Sequence, residues 1–362
     1  ALYMGLLLSI YLNRFTPKEI SPLKPIYSRI ILGLSLVLLI PGLLIHILSY
    51  KSLTQQGRLL YEFNNGDYKL TLAELDQIED DFPNLTETAM PIKAMKARYF
   101  YLNGLKDKAH KYALLGSKDN PQIFFGENIK AQFYMQEQKQ DSAYYYSRIA
   151  FYNLPNNMPH YNIYMNSLVF RKDIEEINKT FNYVLSLSGN TKTIWTIYLS
   201  SLAQTTSLGD PFSMSKASEG FALYPEDNQI FALYRMMTYG QKRSIQAAEL
   251  SKKGMELYNN LNFEAAFELL NQAFDLDPLE YTYAIQTGFS LYENSKYEQA
   301  IPYFKIALNS KRREPKEKAM RYMALSLYKM EMQNEACAAF SKLINTYPKR
   351  MYQQEFNKYC RN

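Results

Sequence analysis

Residue types that commonly carry catalysis or bind metals are few in this sequence and form no familiar motif. Its three histidines, His46, His110 and His160, are scattered along 362 residues. The sequence has no glycine-rich phosphate loop and no HExxH, CxxC or GxSxG, the spacings that bring such groups together. It therefore predicts no catalytic residue, no metal site and no cofactor in this chain.

The two cysteines, Cys337 and Cys360, leave two alternatives open. In an oxidising compartment they would form a disulfide that pins the end of the chain to the preceding helices. The alternative is a pair of reduced, buried thiols, because free cysteine packs as a small apolar side chain.

The C-terminal third of the chain repeats one spacing of small and large apolar residues. The first two copies lie 34 residues apart, and a third copy follows after a two-residue insertion. Small residues at regular points let two helices approach closely, so the pattern predicts stacked helix pairs. The matched positions are Gly254, Leu257, Tyr258, Phe263, Ala266, Leu270 and Ala273, then Gly288, Leu291, Tyr292, Tyr297, Ala300, Phe304 and Ala307, then Ala324, Leu327, Tyr328, Ala336, Phe340, Leu343 and Pro348.

This spacing resembles the tetratricopeptide repeat, which has a small residue at position 8, alanines at 20 and 27 and proline at 32. The predicted fold class is all-α: an N-terminal transmembrane helix, with part of a second, followed by an α-solenoid. We expect divergent repeats over residues 53–240, three well-formed repeats over 241–349 and a capping helix over 350–362.

The resemblance also implies where a ligand would bind. In tetratricopeptide proteins the first helix of each pair, helix A, lines the concave face, and its position 12 is tyrosine in four copies here. Aromatic and arginine side chains suit a protein or peptide partner, whereas simple packing between repeats is the alternative. The predicted binding residues are Tyr101, Tyr258, Tyr292, Tyr328, Arg98, Gln132, Asn259, Glu293, Arg321 and Lys329.

The N-terminal region predicts a membrane anchor over residues 1–52. Residues 30–50 form an uncharged run of 21 residues, which spans roughly 30 Å as a helix and would cross a bilayer. Residues 1–13 are apolar but too short to span, and we expect the end of another transmembrane helix; a short interfacial helix is the alternative. The loop 14–29 has four basic residues and one acidic residue, which predicts a cytoplasmic loop and places residues 55–362 outside the cytoplasm.

The net charge of +6 does not indicate a nucleic-acid partner. Six basic residues and one acidic residue lie in residues 1–58, and no groove-reading or base-stacking motif accompanies a basic stripe. A basic turn predicts either a solvated loop or an attraction to anionic glycans or lipid headgroups. It contains Lys311, Arg312, Arg313, Lys316 and Lys318.

The layout resembles bacterial proteins of the O-antigen ligase and polymerase family, whose members in Bacteroidetes-type bacteria often carry a C-terminal repeat array. The resemblance rests on the membrane end, the array, the Tyr-, Asn- and Lys-rich composition and the closing AC…KYC spacing. It implies glycan transfer from a lipid-linked carrier, with catalysis in membrane segments outside this chain.

We therefore expect a membrane-anchored scaffold for protein–protein interaction, forming the C-terminal accessory domain of a larger polytopic membrane protein. The first alternative is the non-catalytic part of an O-antigen ligase-type or polymerase-type enzyme. The second is a subunit of a secretion or motility complex of the cell envelope. The predicted location is the bacterial inner membrane, with the repeats facing the periplasm.

Overall fold

The computed structural model describes residues 25–361, and every regular element in that range is an α-helix. In chain order the helices are α1 (Pro25–Asn65), α2 (Leu72–Gln77), α3 (Ile92–Leu102), α4 (Lys106–Asp119), α5 (Phe125–Gln136), α6 (Gln140–Asn153), α7 (Met158–Arg171), α8 (Ile174–Ser188), α9 (Lys192–Thr205), α10 (Pro211–Leu223), α11 (Asn228–Tyr239), α12 (Gln241–Asn259), α13 (Phe263–Leu276), α14 (Tyr281–Glu293), α15 (Tyr297–Ala307), α16 (Arg313–Lys329), α17 (Gln333–Thr346) and α18 (Arg350–Cys360).

The chain divides within α5 into two units, one ending at Ile129 and the other beginning at Lys130. In the first unit the C-terminal part of α1 packs against α2 and α3 around Leu59 and Tyr99. Glu62 of α1 accepts hydrogen bonds from the backbone N–H groups of the following turn at 2.6 and 2.8 Å. This carboxylate therefore fixes the path of the chain as it leaves the long helix.

The predicted membrane anchor is not confirmed. Among the residues that the structure describes, no helix is both long enough and apolar enough to cross a membrane. The predicted span 30–50 lies within α1, but the side chains of residues 30–32, 34–36 and 38 are outside the described part. The predicted partial span 1–13 and the loop as far as residue 24 also lie outside it.

In the second unit, the helices from α6 to α11 pack around large aromatic side chains. The Phe181 ring stacks on Tyr198 with ring centroids 3.7 Å apart and meets Trp195 edge-on at 4.9 Å. All three are buried. Gly220 lets α10 approach α9, because a Cβ there would lie 2.8 Å from the Trp195 ring.

The helices from α12 to α17 form three pairs in which small residues face large ones. A Cβ at Gly254 would lie 2.7 Å from Leu270 Cγ, and one at Gly288 would lie 2.5 Å from Phe304 Cε1. Both glycines are therefore required for the close approach of helix A to helix B. The predicted all-α array of tetratricopeptide-like helix pairs is confirmed.

The regular pairing is interrupted at α11, which is followed directly by α12 with only Gly240 between them. Gly240 has φ +84°, a left-handed conformation that glycine adopts most readily. Arg235 of α11 then joins the loop before α14, because its guanidinium contacts Asp277 at 2.6 Å and Glu280 at 3.0 Å. The sequence pattern gives no register around Pro225 and did not predict this junction.

The last helix, α18, covers the end of the array where a capping helix is predicted. Its buried Tyr352 donates a hydrogen bond to Glu317 of α16. Phe356 and Tyr359 pack against the apolar cluster formed by α16 and α17. Apart from Met351 and the disulfide-bonded Cys360, polar side chains occupy the remaining positions, so α18 ends the stack with a largely polar, solvated face.

Candidate functional site

Three predicted tyrosines occupy equivalent places at the ends of α12, α14 and α16. Tyr258, Tyr292 and Tyr328 are all half-buried. Tyr258 meets the ring of Phe263 edge-on at 5.5 Å, and Tyr292 meets Tyr297 edge-on at 5.3 Å. In both pairs the partner opens helix B of the same repeat, so each tyrosine is held in place while part of its ring stays accessible.

Tyr322 extends this row, although the sequence did not predict it. Its ring lies 4.2 Å from Phe289 and 5.4 Å from Tyr292. The equivalent positions in the two preceding repeats are Lys252 and Gln286, so no repeated aromatic residue marked it. We call Tyr258, Tyr292, Tyr322 and Tyr328 the aromatic surface.

The hydroxyl groups of Tyr258 and Tyr292 in the aromatic surface are protonated at neutral pH. Burial raises the pKa of Tyr258 to about 12, and the negative charge of Glu293 acts in the same direction. Burial likewise raises the pKa of Tyr292 to about 12 and is the largest cause of the shift. The neighbouring Tyr297 and Glu293 act in the same direction. Both phenols therefore offer an O–H donor beside an apolar ring.

The charged and polar residues predicted for the same face differ in their surroundings. Asn259, Glu293 and Lys329 are exposed. Arg321 instead donates to both carboxylate oxygens of Glu355 on α18, with Nε distances of 3.0 and 3.2 Å. Its guanidinium therefore holds the capping helix, and it is not a free contact for a ligand.

Tyr328 is also held by the capping helix, because its ring centroid lies 4.5 Å from that of Tyr359. Cys360, the residue after Tyr359, forms a disulfide with Cys337 of α17 at an S–S distance of 2.09 Å. The disulfide fixes α18 covalently beside the aromatic surface.

The remaining predicted residues lie near the start of the chain's repeats. In the first unit, Tyr101 is buried and the guanidinium carbon of Arg98 lies 5.7 Å from the centroid of the Tyr68 ring. Gln132 is half-buried on α5 in the second unit. The predicted residues of the last three repeats therefore lie in consecutive helix pairs, whereas Tyr101, Arg98 and Gln132 lie outside those pairs.

An acidic cluster in the first unit has ligand atoms close enough to hold a cation. The carboxylate oxygens of Glu79, Asp80 and Asp81 lie within 4.8 Å of one another. Lys96 contacts Asp80 at 2.7 Å and Lys93 contacts Asp81 at 2.9 Å. These ammonium groups already balance two of the charges, so the cluster joins α3 to the preceding loop.

Comparison with known proteins identifies the repeat. Residues 318–350, which cover most of α16 and α17, match the family model of the tetratricopeptide repeat. No curated protein matches the chain. The chain is thus a helical-repeat protein whose last regular helix pair is a tetratricopeptide repeat by sequence and by fold.

The chain is also similar, at low sequence identity, to solved structures of tetratricopeptide repeat proteins. The P58(IPK) TPR domain is 13% identical, with a TM-score of 0.35, and the match covers 85% of this chain and 87% of that one. A tetratricopeptide repeat protein from Parabacteroides merdae is 10% identical, with a TM-score of 0.34 and coverages of 75% and 98%. The TPR2AB domain of yeast Sti1, in complex with pHSP90, is 12% identical, with a TM-score of 0.29 and coverages of 66% and 98%.

Proposed function

We propose that this chain is a membrane-anchored, extracytoplasmic scaffold that binds a protein partner through the aromatic surface. The observation that carries the proposal is the row of half-buried tyrosines, Tyr258, Tyr292, Tyr322 and Tyr328, along three consecutive repeats. Tyrosine is enriched at binding hot spots, because its ring buries a large area while its hydroxyl group keeps a hydrogen-bond partner.

The surroundings of these tyrosines favour a peptide segment with apolar side chains and free backbone carbonyl groups. The protonated hydroxyls of Tyr258 and Tyr292 would donate to such carbonyls. The neighbouring exposed groups, Asn259, Glu293 and Lys329, carry both signs of charge and an amide, so the surface has no strong charge preference. Affinity would come from ring contacts, with a weak dependence on salt.

Two observations support the anchor and the compartment. The segment of α1 from Val37 to Leu53 exposes apolar side chains, including Ile40 at 61% and Leu43 at 58%. A helix surface of that kind suits a bilayer. The disulfide between Cys337 and Cys360 is typical of proteins in oxidising compartments such as the periplasm.

The proposal is tested with the triple variant Y258A/Y292A/Y328A in the full chain. Proteins are cross-linked in the envelope, captured with the wild type and identified, and the purified partner is then titrated against each variant. We expect the triple variant to raise the Kd about 100-fold or more, because truncation of a single hot-spot residue commonly costs about 2 kcal/mol or more, although such losses do not add in full.

The control variant is Y145A/Y183A, since both tyrosines are well exposed, at 59% and 40%, but lie on α6 and α8. It should bind the partner as the wild type does. Equal affinity of all three proteins, at unchanged helical circular dichroism, would reject the aromatic surface as the binding site.

The glycan-transfer alternative stays a proposal of lower rank. Sugar rings also stack on tyrosine, so the aromatic surface would accept a glycan segment. If purified lipid-linked glycan binds in a manner that depends on Tyr258 and Tyr292 and no protein does, the partner is a glycan. The envelope-complex alternative would instead give a captured protein of the secretion or motility machinery.

A further inference from the structure

The cationic side chains of the basic turn between α15 and α16 differ in their partners. Arg312 donates to Asn228 Oδ1 at 2.8 Å, and the guanidinium of Arg313 lies 5.5 Å from the Tyr347 ring. Lys318 pairs with Glu314 at 2.7 Å. Within residues 25–361, by contrast, no carboxylate lies within 4 Å of the Lys316 ammonium group.

Lys316 lies at a cavity of about 240 Å³ between α16, α17 and the end of α15. A second exposed lysine, Lys342 of α17, lines it from the other side and likewise has no carboxylate partner among the described residues. The rest of the lining is apolar and consists of Leu308, Met320, Met323 and Ala339.

This cavity and the tyrosines of the aromatic surface lie on different sides of α16. Lys316, Met320 and Met323 follow one another at spacings of four and three residues, which places them on one side of a helix of 3.6 residues per turn. Tyr322 and Tyr328, the two members of the aromatic surface on α16, each lie about 120° from Lys316 around the axis at 100° per residue. A ligand in the cavity therefore leaves the aromatic surface free.

We propose that the cavity is a second binding site, which takes one apolar side chain of an internal acidic segment of a partner protein, with flanking carboxylates contacting Lys316 and Lys342. The charge of the two lysines, which nothing in the described chain balances, selects the acidic segment. The apolar lining selects the anchoring side chain.

The size and the lining of the cavity favour one anchoring residue over a whole small molecule. Pockets that enclose drug-sized ligands measure about 300–1,000 Å³, whereas this one is about 240 Å³. Two of the lining residues are methionines, whose flexible side chains adapt to different apolar shapes. An aromatic or large aliphatic side chain fits such a site, with its charged neighbours left at the rim.

The test uses a dye-labelled acidic peptide with one central phenylalanine and an amidated C-terminus, so that glutamates supply its only carboxylates. Fluorescence anisotropy with the full chain gives the Kd. We expect K316E/K342E to weaken binding about 10-fold or more, because each reversal replaces an attraction by a repulsion. The matched control is K252E/K253E on α12, two exposed lysines outside the cavity, which should change the Kd less than 2-fold.

Two further comparisons separate the parts of the proposal. A peptide with alanine in place of phenylalanine should bind at least 5-fold more weakly to the wild type, since the cavity then stays empty. The aromatic-surface variant Y258A/Y292A/Y328A should bind the phenylalanine peptide normally, so failure of the proposed function and failure of this site are distinguishable.

Three results would overturn the proposal. One is an equal loss of binding in K316E/K342E and K252E/K253E, which would mean general charge attraction. Another is equal affinity for the two peptides. The third is that the peptide does not bind, whereas vesicles of anionic phospholipid bind and the binding depends on Lys316 and Lys342. That result would make the site a lipid contact.

Discussion

The second unit builds the same helix-pair architecture in two ways. In the divergent part, from Lys130 to Gly240, interhelical space is filled by large rings such as those of Phe181, Trp195 and Tyr198. In the regular part, 241–349, Gly254 and Gly288 of helix A lie directly against Leu270 and Phe304 of helix B. Similar helix pairs therefore arise with different balances of large rings and small residues, although the divergent part also contains one contact of the second kind, Gly220 against Trp195.

The difference shows why one part repeats visibly in sequence and the other does not. Close approach through Gly288 works only where the small residue and its large partner Phe304 are in fixed register, so the pattern recurs after 34 residues and again after 36. Large rings fill gaps of irregular shape, and many combinations of Phe, Tyr and Trp give the same volume. Stability in the divergent part should consequently be concentrated in a few side chains.

Trp195→Ala is the most severe test of that concentration. Trp195 is 1% exposed, stacks edge-on against Phe181 and donates to Asn190. Its truncation should lower the free energy of unfolding by about 4 kcal/mol, as for other buried aromatic residues. Because it is the only tryptophan, unfolding in urea is followed by far-UV circular dichroism.

The helices that Trp195→Ala destabilises show whether the divergent and the regular part unfold independently. Stability in repeat arrays is largely local, so amide exchange should accelerate in α8–α10 and stay near the wild-type rate in α14–α17. Trp195→Phe, which keeps a ring in place, should lose less than half as much. Equal acceleration in both parts would show that the comparison describes packing but not stability.

Removal of the disulfide tests how the regular part ends. Cys337 and Cys360 are 23 residues apart, and loss of a link of that size should destabilise α17 and α18 by about 3 kcal/mol. We expect C337S/C360S to lose amide protection in α18 first. Dithiothreitol should reproduce the effect in the wild type and have none in the variant; unchanged protection of α18 would mean that noncovalent contacts hold it alone.

The regular part was predictable because its packing is periodic. Gly254, Gly288 and Ala324 mark the places where two helices touch, and each is followed at fixed distances by its partners. Periodicity also gives the positions of Tyr258 and Tyr292, since the row of tyrosines follows from the same register. Their role in binding stays a prediction.

The other features depend on contacts between residues far apart in sequence. The pairing of Arg321 with Glu355 and that of Arg235 with Asp277 span 34 and 42 residues, and the types of these residues do not specify a partner. The cavity at Lys316 likewise requires Lys342 from another helix. The sequence therefore predicts the helices and positions that form the site. It does not predict which charged side chains, such as Arg321, are already paired with a carboxylate.

Gly288→Ala sharpens the comparison within the regular part. Alanine normally stabilises a helix by about 1 kcal/mol relative to glycine, but here its Cβ would lie 2.5 Å from the buried ring of Phe304. We expect a net loss of about 2 kcal/mol from overpacking. Gly57→Ala in α1 is the matched control, since nothing lies within 4 Å of its Cβ position, and it should be stabilising; a stabilising Gly288→Ala would show that the helix pair tolerates separation.

Glu317→Gln gives the smallest effect, and its pH dependence separates charge from packing at the end of the array. Burial would raise the pKa of Glu317, but hydrogen bonds from Lys349 and Tyr352 hold that pKa below its usual value. A carboxyl whose pKa is lowered on folding stabilises the protein above its unfolded pKa of about 4.3, and this contribution is lost as the pH falls through the folded pKa. The variant should therefore be less stable by about 1.5 kcal/mol at pH 7, with the difference shrinking below about pH 4.3.

The loss caused by Gly288→Ala involves no titrating group and should keep its size over the same pH range in urea titrations. A pH-independent loss for Glu317→Gln would mean that shape, rather than charge, holds α18 against α16.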